Sequence, residues 1–561
     1  MLAPLTSTLA SIRSGLRRVL RPATALVARL RAAYAWSDFV PLLLPVLVAP
    51  WLCEAGRIYA GAAMARDVNM FSYAGWCLRK GERLYQTFAV PDGPFVVAWH
   101  ALTTLVAGTG DHGLRTLDIV FHGLVAAVIG VLVVPRAWGR KLLGRAVWVL
   151  VAFALWMTHL AQTTYGSSMQ REQDYIAFGC IAMCLAYASW QFGRRSARLM
   201  LVAAGVLSGL LVFGKQSGVV YVALVALIAA ALPSDPAQRL RWRLGWVAAG
   251  VGLAAVAMLG LVAVAGSLRG FYEWYVRFAI VVYRFFEPAP YAGIFVKADR
   301  AGFVQLAGVV LMGGAGAVAL RALPPRTLPF IVAPLLHFGL AIAQRKGWEH
   351  HYLPVRAAAY VFFLVALVAA WTGPEASRRQ PLRALIAVAL LVFVGERCMD
   401  GADGSAWLRE SERHLNDTEV KEAHDAAGFL RDHTRPDDRV LYYGDDPLVL
   451  FAAERRPAIP TETVLMLNFS AALNNTSELG PGPEDRYRMT VLQRLVRDDA
   501  CSRIVQGKPA AMVFTDHAPA GSADGVADVV AACPELQSML DADYHLETTI
   551  KRLRIFLRNA P

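Results

Sequence analysis

Asp67 is the first residue of this sequence whose type and position suit acid–base chemistry. It lies in the run RDVNMFSYAGW, about a dozen residues beyond the first long apolar block, and an aromatic-rich stretch at residues 71–78 follows it. A carboxylate held at that depth could accept a proton from a sugar hydroxyl while a lipid-linked donor lies in the bilayer. The alternative interpretation is an ordinary solvated or helix-capping aspartate.

A second polar group stands directly before another apolar block. The run YGSSMQREQD, residues 165–174, contains Arg171, Glu172 and Asp174. Arg171 could orient a phosphate, and Glu172 or Asp174 could hold a hydroxyl or a metal. The alternative is a local ion pair that marks the end of a loop.

A third group is the run QRKGWEHHYLPVR, residues 344–356. Its Arg345, Lys346, His350 and His351 suit phosphate binding, because arginine and lysine supply charge and histidine can donate to a leaving oxygen. Adjacent histidines do not share a helix face, so a two-histidine metal site on a helix is not predicted. The alternative is a headgroup contact anchored by the aromatic residues of the run.

Lys215, in the run FGKQSG between two apolar blocks, is a further candidate, since a lysine at a membrane edge is costly unless it is paired or reaches the interface. Other classes of site lack their motifs. The sequence has no Walker or dinucleotide glycine pattern and no internal repeat, which argues against an ATP-driven pump and a dinucleotide enzyme. Its seven cysteines form no CxxC pair, so no zinc or redox motif is predicted.

The candidate residues belong to a chain with the composition of an integral membrane protein. Of its 561 residues 56% are hydrophobic and 18% charged, against roughly 25% charged in a typical soluble protein. Mean hydropathy is +0.41. Apolar blocks near 20 residues long predict about eleven spanning helices. The blocks are residues 38–55, 114–135, 145–164, 175–192, 199–214, 217–233, 244–266, 302–321, 326–343, 353–371 and 382–397.

The distribution of basic residues predicts the orientation in the membrane. The first 36 residues carry arginines and no acid, which keeps this segment cytoplasmic. Five basic connections then also fall inside: 136–145, 194–198, 239–243, 321–326 and 378–383. The apolar segment Pro94–Ala107 must not cross, because an extra span there would invert every later loop. The net charge of +13 lies in such clusters, so no nucleic-acid partner is predicted.

Three parts follow from this topology: a cytoplasmic basic N-terminus (1–36), a transmembrane domain (37–398) and a periplasmic α/β domain (399–561). The last part combines an amphipathic helix pattern at 417–432, strand patterns at 439–444 and 511–515, and an alternating segment at 550–557. Cys501 and Cys533 form a disulfide if this part is extracytoplasmic, or remain two buried thiols.

The order of these features resembles the GT-C superfamily of membrane glycosyltransferases, in particular the bacterial branch near protein mannosyltransferases and aminoarabinose transferases. The shared pattern is an aspartate soon after the first span, a tyrosine–glycine stretch, a Gly-x-x-x-Tyr turn and a Gly-Pro before an apolar helix. Here these are Asp67, residues 73–75, residues 81–85, and Gly93 with Pro94.

Three later runs extend the resemblance over residues 36–400. QREQD is similar to the relatives' second-loop arginine and acid, and QRKGWEHHYLP to their Lys-Gly-Trp-x-x-His segment near the donor phosphate. The pair at 214–215 is similar to their glycine–lysine pair at a helix end. Many relatives carry further acids where this chain has Val68 and Thr87, so a metal site built on paired first-loop acids is not expected. No cofactor is assigned, and a divalent metal stays an open alternative.

The resemblance implies a polytopic α-helical fold and an inverting transfer of one sugar from a polyprenyl-phosphate donor to a hydroxyl at the outer face of the bacterial inner membrane. The acceptor would be an envelope glycan, a glycolipid or a protein. Asp67 would be the general base. The donor phosphate would be bound by Arg171, Lys215, Arg345, Lys346, His350 and His351, and the substrate positioned by Glu172, Asp174 and Tyr85. The alternatives are a lipid-linked-sugar flippase or transporter, and a glycan ligase with a polyprenyl-diphosphate donor.

Overall fold

The computed structural model describes residues 41–61, 64, 66–135, 142–161, 171–233, 239–286, 288–300, 302–319, 321, 323–372, 418–444, 446–460, 473–474, 477–516 and 524–559. The N-terminal segment 1–36, the predicted span 382–397 and the basic connection 378–383 lie outside these residues, as does most of the connection 136–145.

The longer helices of the membrane domain overlap all of the first ten predicted spans. In chain order they are α1 (Leu43–Gly61), α2 (Arg66–Arg79), α3 (Pro94–Ala107), α4 (Asp111–Val133), α5 (Leu142–Ala161), α6 (Arg171–Ala188), α7 (Arg194–Val212), α8 (Val219–Ala231), α9 (Leu240–Ala265), α10 (Tyr291–Arg300), α11 (Phe303–Ala319), α12 (Leu328–Ala343) and α13 (Leu353–Thr372). Within the described residues six helices are long and apolar enough to cross a membrane, or seven if the bent pair α10 and α11 is one span. The predicted count of about eleven spans is therefore not confirmed.

Helix α3 occupies the apolar segment that the charge distribution excludes from crossing. Its 14 residues make it about 21 Å long, shorter than the roughly 30 Å hydrocarbon core. Pro94 stands at the first helical position, where its missing N–H leaves no hydrogen bond unmade. A short helix of this kind fits the prediction of a non-crossing segment.

Three of the basic connections lie at one end of the helix bundle. Stacking of arginine on tryptophan joins them: Arg194 lies over Trp242 and Arg198 over Trp246, at 5.6 and 5.2 Å from the ring centres. We call this the basic end. Since α7 and α9 both begin there, their C-termini reach the opposite end, which we call the cavity end. The prediction that the basic end faces the cytoplasm rests on the sequence.

Helices α7 and α9 pack with their backbones in direct contact. A Cβ placed on Gly205 would lie 2.2 Å from the Val247 carbonyl oxygen, and one on Gly250 would lie 2.2 Å from that of Val202. Small residues allow such an approach in membrane helices. The contact fixes the cavity-end terminus of α7, from which Lys215 follows.

The C-terminal domain is a small α/β unit, as predicted. Its helices are α14 (Thr418–His433), α15 (Leu448–Ala453), α16 (Pro483–Gly507), α17 (Gly525–Ala532) and α18 (Glu535–Asp543), and its strands are β1 (Arg439–Tyr443), β2 (Arg456–Pro457), β3 (Ala511–Thr515), β4 (Tyr544–Ile550) and β5 (Leu553–Arg558). The sheet order is β2-β1-β3-β5-β4, with β2, β1 and β3 parallel.

Two details of this domain refine the sequence predictions. The alternating segment 550–557 is not one strand, because the β4–β5 hairpin turns within it and Lys551 takes a φ of 51° there. Cys501 and Cys533 form a disulfide, with their Cα atoms 5.3 Å apart.

The C-terminal domain docks on α2 and the turn after it. Tyr73 donates from its hydroxyl to the Arg455 carbonyl oxygen at 2.9 Å, and its ring packs edge-on against Phe451. The buried Glu82 carboxylate accepts from Arg439 at 2.8 and 2.9 Å. The domain therefore holds the helix that carries Asp67.

Candidate active site

Asp67 lies in the first turn of α2 and is half-buried. Within the described residues its carboxylate has no hydrogen bond and no ion pair, and a negative charge suits a helix N-terminus. Phe71 follows one turn later on the same face, and its ring centre lies 5.7 Å from that of His100 on α3. The Asp67 face of α2 is thus turned toward α3.

Asp174 lies in the first turn of α6, near the start of the helix, and is 8% exposed. The Trp99 indole lies close enough to interact with its carboxylate, and His100 places Nε2 at 3.9 Å from Oδ2. The side chains of Arg171 and Glu172 lie outside the described residues, so their predicted roles rest on the sequence. Of the two acids in this run, the structure therefore describes the surroundings of Asp174 only.

A narrow cavity brings Asp174 and Lys215 together. Its wall is formed by residues of α3, α6 and the connection between α7 and α8: Phe95, Val96, Trp99, Asp174, Tyr175, Gly214 and Lys215. A carboxylate and an ammonium group in the wall of one cavity are the groups that bind a hydroxyl and a phosphate, although the surface exposed to this cavity is apolar in the structure. Two of the sequence candidates therefore share one site.

The cavity exists because the start of α3 contacts the end of α7. Gly93 donates its N–H to the Gly214 carbonyl oxygen at 3.1 Å, and Phe95 donates to that of Phe213 at the same distance. A Cβ on Gly93 would lie 1.8 Å from the Phe213 oxygen, so only glycine allows this approach. The Gly-Pro motif at 93–94 and the Gly-Lys motif at 214–215 thus contact each other in the structure.

Lys215 also reaches the third candidate group. Its Nζ lies 3.4 Å from Nε2 of His351, which follows the end of α12. The rings of His350 and His351 are perpendicular, with centres 4.6 Å apart. Because an ammonium group only donates, Nε2 of His351 accepts from Lys215 in this contact. The contact joins the third candidate group to a lysine of the cavity wall.

Arg345 and Lys346, two further cations of that run, stabilise the backbone conformation nearby. Lys346 is buried and donates to the carbonyl oxygens of Tyr283, at 2.7 Å, and Phe286. Arg345 has a φ of 54° and lies over the Tyr291 ring at 4.4 Å. These contacts fix the irregular segment before α10. The role of Arg345 and Lys346 in phosphate binding stays a prediction.

Tyr85 belongs to the turn that precedes α3. It has a φ of 62°, and its hydroxyl donates to the Asp92 carbonyl oxygen at 2.5 Å. Its ring packs on Phe271. Tyr85 is therefore positioned to shape the turn, and it is not among the residues that line the cavity.

A buried polar network that the sequence analysis did not single out lies beneath Asp174. Tyr59 donates to Asp118 at 2.5 Å, and Nε2 of His122 lies 3.5 Å from the other oxygen of that carboxylate. Ligand atoms of Asp118, His122 and Asp174 all lie within 4.8 Å of one another. The sequence did contain a sign of this network, because an aspartate and a histidine stand four residues apart inside the apolar block of α4. Ionisable residues within a membrane span are rare unless they have a role.

This trio does not fit a divalent metal. Trp156 donates its indole N–H to Nδ1 of His122 at 3.0 Å. Indole is only a donor, so Nδ1 is the acceptor and the proton of the neutral ring is on Nε2. Metal-bound histidines have the reverse arrangement, in which the other nitrogen donates. His122 thus presents an N–H to Asp118, and we assign no step to a metal at this position.

The first-loop positions that carry acids in many GT-C relatives do not offer ligands either. Val68 is fully buried in the core that α2 shares with the C-terminal domain. The Thr87 hydroxyl accepts from the Arg83 N–H at 2.7 Å and so stabilises the turn. Both side chains are used to hold structure.

A bundle of long apolar helices with a small α/β domain docked on α2 defines a polytopic membrane protein. A scan against protein-family models finds no match, and a search of curated proteins finds none either. Among solved structures, ArnT from Cupriavidus metallidurans bound to undecaprenyl phosphate aligns with a TM-score of 0.54 at 14% identity, over 94% of this chain and 99% of ArnT. The chain therefore shares the overall fold of ArnT, in agreement with the resemblance that the sequence shows to the GT-C superfamily.

Two further solved structures align over most of the chain. The apo state of the same ArnT has a TM-score of 0.52 at 14% identity, over 92% of this chain and 97% of ArnT. The archaeal oligosaccharyltransferase AglB from Archaeoglobus fulgidus, in complex with an inhibitory peptide and a dolichol-phosphate, has a TM-score of 0.45 at 12% identity, over 86% of this chain and 70% of AglB.

Proposed function

We propose that this protein is a membrane glycosyltransferase that moves one sugar from a polyprenyl-phosphate donor to an acceptor hydroxyl, with inversion at the anomeric carbon. The cavity shared by Asp174 and Lys215 in a GT-C fold is the observation that carries the proposal. The ArnT structure that aligns with the whole chain holds undecaprenyl phosphate. A donor of that chemistry suits a lysine–histidine pair at the membrane surface.

Lys215 and His351 are the proposed ligands of the donor phosphate. As the bond between the anomeric carbon and the phosphate oxygen breaks, negative charge grows on that oxygen, and donors fixed at this point stabilise it. The leaving group is the polyprenyl phosphate, which stays in the bilayer. Arg171, three residues before Asp174, and His350, next to His351, are proposed to extend the same anion site. Arg345 and Lys346 are proposed to fix its wall.

Asp67 is the proposed general base. The acceptor oxygen attacks the anomeric carbon from the side opposite the phosphate, and its proton passes to the Asp67 carboxylate. Asp174, beside Trp99, orients the sugar or the acceptor, and Glu172 assists there. Tyr85 acts at a distance by shaping the turn before α3.

The experiment uses the full chain in nanodiscs with a panel of synthetic polyprenyl-phosphate sugars, and it measures released lipid phosphate and glycosylated acceptor. We expect Asp67→Asn to lower kcat by about 100-fold or more while donor binding stays within about twofold. Lys215→Met should instead weaken donor binding by about tenfold or more. Asp299→Asn and Lys297→Met, exposed residues of α10, are the matched controls. Full activity of Asp67→Asn removes this residue from the mechanism.

The same preparation tests the other two functions. A flippase or transporter would move the lipid between leaflets without breaking the sugar–phosphate bond. A glycan ligase would release a polyprenyl diphosphate in place of the monophosphate. Midplane ionisable groups and inverted repeats favour transporters. The buried Asp118–His122 pair is a feature of that kind, and its ligand atoms lie within 4.8 Å of one in Asp174.

We also propose that the cavity end faces the periplasm and that the acceptor belongs to the cell envelope. The basic end then faces the cytoplasm, as positively charged connections do. An accessibility assay with a membrane-impermeant thiol reagent tests this. A single cysteine at Gln537 on α18 should react in intact cells, and one at Arg195 at the start of α7 should react only after lysis.

A further inference from the structure

One side-chain contact links the first turn of α2 to the C-terminal domain. The Asn69 amide is fully buried and donates from Nδ2 to Oδ2 of Asp446 at 3.0 Å. Asp446 lies in the loop after β1, and its other oxygen accepts the Leu448 N–H at 3.0 Å, which caps the N-terminus of α15. The carboxylate is thus fixed at both oxygens between two domains.

Asn69 is only two residues beyond Asp67. Two residues along a helix are about 3 Å of axial rise, so a tether on Asn69 restrains the same turn that carries the proposed base. The Tyr73 contact with the Arg455 carbonyl lies a full turn beyond Asn69 and therefore does not restrain the first turn of α2 directly. Helix ends fray unless side chains or packing hold them.

We propose that Asp446 is a positioning residue through which the C-terminal domain holds the first turn of α2, and with it the Asp67 carboxylate, in the geometry needed for transfer. The contact between Asp446 and Asn69 positions α2 whatever the protein does, whereas the effect on transfer rests on the proposed function of Asp67. Asp446 touches neither cavity nor substrate and acts through Asn69.

The tether should respond to pH near neutrality. Burial raises the pKa of Asp446 to about 7, against the lowering effects of the Asn69 and Leu448 N–H groups and the Arg66 charge, while Asp111 on α4 adds to the rise. His424 on α14 lies 4.0 Å from Asp111 and completes the charged surroundings. Because the folded-state pKa exceeds the ordinary value of 3.8, protonation of Asp446 favours the docked state. That contribution is complete below about pH 4 and is lost as pH rises through 7.

Burial accounts for the direction, because the Asn69 N–H group lowers the pKa of Asp446. The Asn69 Oδ1 is buried without a hydrogen bond in the described residues. A protonated Asp446 has an O–H that can donate to this oxygen when the amide rotates, in exchange for the present N–H bond. The substitution Asp446→Asn would imitate the protonated acid at every pH.

The experiment measures amide hydrogen exchange of α2 peptides in the full chain in nanodiscs, expressed as protection factors corrected for the intrinsic pH dependence. We expect Asp446→Ala to lower α2 protection by about tenfold or more, as loss of a buried bond to a charged group does. Asp446→Asn should keep wild-type protection and remove its fall between pH 5 and 8. Glu454→Gln, at the more exposed contact with Thr109, is the control and should change nothing.

A second pair of variants guards against simple unfolding. Asn69→Asp alone puts two carboxylates together and should loosen α2, whereas adding Asp446→Asn restores a donor–acceptor pair and should recover protection. Unchanged protection in Asp446→Ala, or no recovery in the double variant, overturns the proposal. In the transfer assay Asp446→Ala should lower kcat with little change in donor KM. Loss of α2 protection without any transfer by the wild type would refute the proposed function and leave the positioning role intact.

Discussion

Replacement of Gly93 by alanine is the most direct test of how the cavity is assembled. The new Cβ would lie 1.8 Å from the Phe213 carbonyl oxygen and 2.4 Å from its carbon, both backbone atoms that no side-chain rotation can move. Since such contacts require about 3 Å, the segment that carries Lys215 must shift by about 1.2 Å, and a misplacement near 1 Å can cost roughly 100-fold in rate.

The same substitution should also lower stability. It breaks the two backbone hydrogen bonds from Gly93 and Phe95 to residues 213 and 214, and each buried group left unpaired costs about 1–3 kcal/mol. We therefore expect a lower Tm, weak donor binding and a transfer rate roughly 100-fold lower. The assay compares lipid-phosphate release and thermal unfolding in the same nanodisc preparation.

Gly245→Ala is the matched control, because no atom lies within 4 Å of the Cβ position and the residue is inside α9. It should keep full activity and gain roughly 0.5–1 kcal/mol from the lower entropy of the unfolded chain. Wild-type donor binding and transfer in Gly93→Ala would refute the reasoning, since Lys215 could then not depend on this contact.

Two further predictions concern the C-terminal domain. Glu82→Gln removes a buried carboxylate from the half-exposed Arg439 and should weaken docking on the membrane domain by about 1.5–3 kcal/mol, measured as faster hydrogen exchange in β1. Asp437→Asn removes an exposed ion pair with Arg456 and should cost at most about 1 kcal/mol. Reduction of the Cys501–Cys533 disulfide, which closes a 32-residue separation, should cost about 4 kcal/mol; an unchanged melting profile of the C-terminal domain under reductant would contradict its stabilising role.

The sequence is informative where one segment suffices to define a structure. Long apolar blocks predict the membrane helices, and the strand patterns at 439–444 and 511–515 predict β1 and β3 closely. The run at 550–557 misleads because alternation of apolar and basic residues continues through a two-residue hairpin turn at Lys551 and Arg552. A period of two cannot distinguish one strand from the end of a hairpin.

The candidate site depends on contacts between distant segments, which sequence patterns do not contain. His100 and Trp99 were not candidates, because an apolar segment that does not cross the membrane carries no obvious chemistry. They become relevant only when the Gly93 contact places α3 against Asp174. The Asp118–His122 pair lacked a partner in sequence for the same reason, although its spacing on one helix face was visible.

Lys346 shows that charge alone does not assign a role to a lysine. In the sequence it belongs to the densest cationic run, and anion binding is the natural interpretation. The structure gives it two carbonyl oxygens in an irregular segment, because a buried carbonyl without a donor is costly. A lysine that satisfies backbone and a lysine that binds phosphate have the same sequence signature, and only the surrounding backbone separates them.

The cavity end is also where the backbone of this protein is least regular. In hydrocarbon an unpaired N–H or C=O group costs several kcal/mol, so irregular backbone persists only where protein covers it or where it lines a cavity. Here the irregular segments satisfy one another: Gly93 donates to Gly214, and Ser267 donates to Leu84. Each pairing brings a segment with a candidate side chain against another one. The hydrogen bonds that make the broken helices tolerable are therefore the same bonds that place Lys215 beside Asp174.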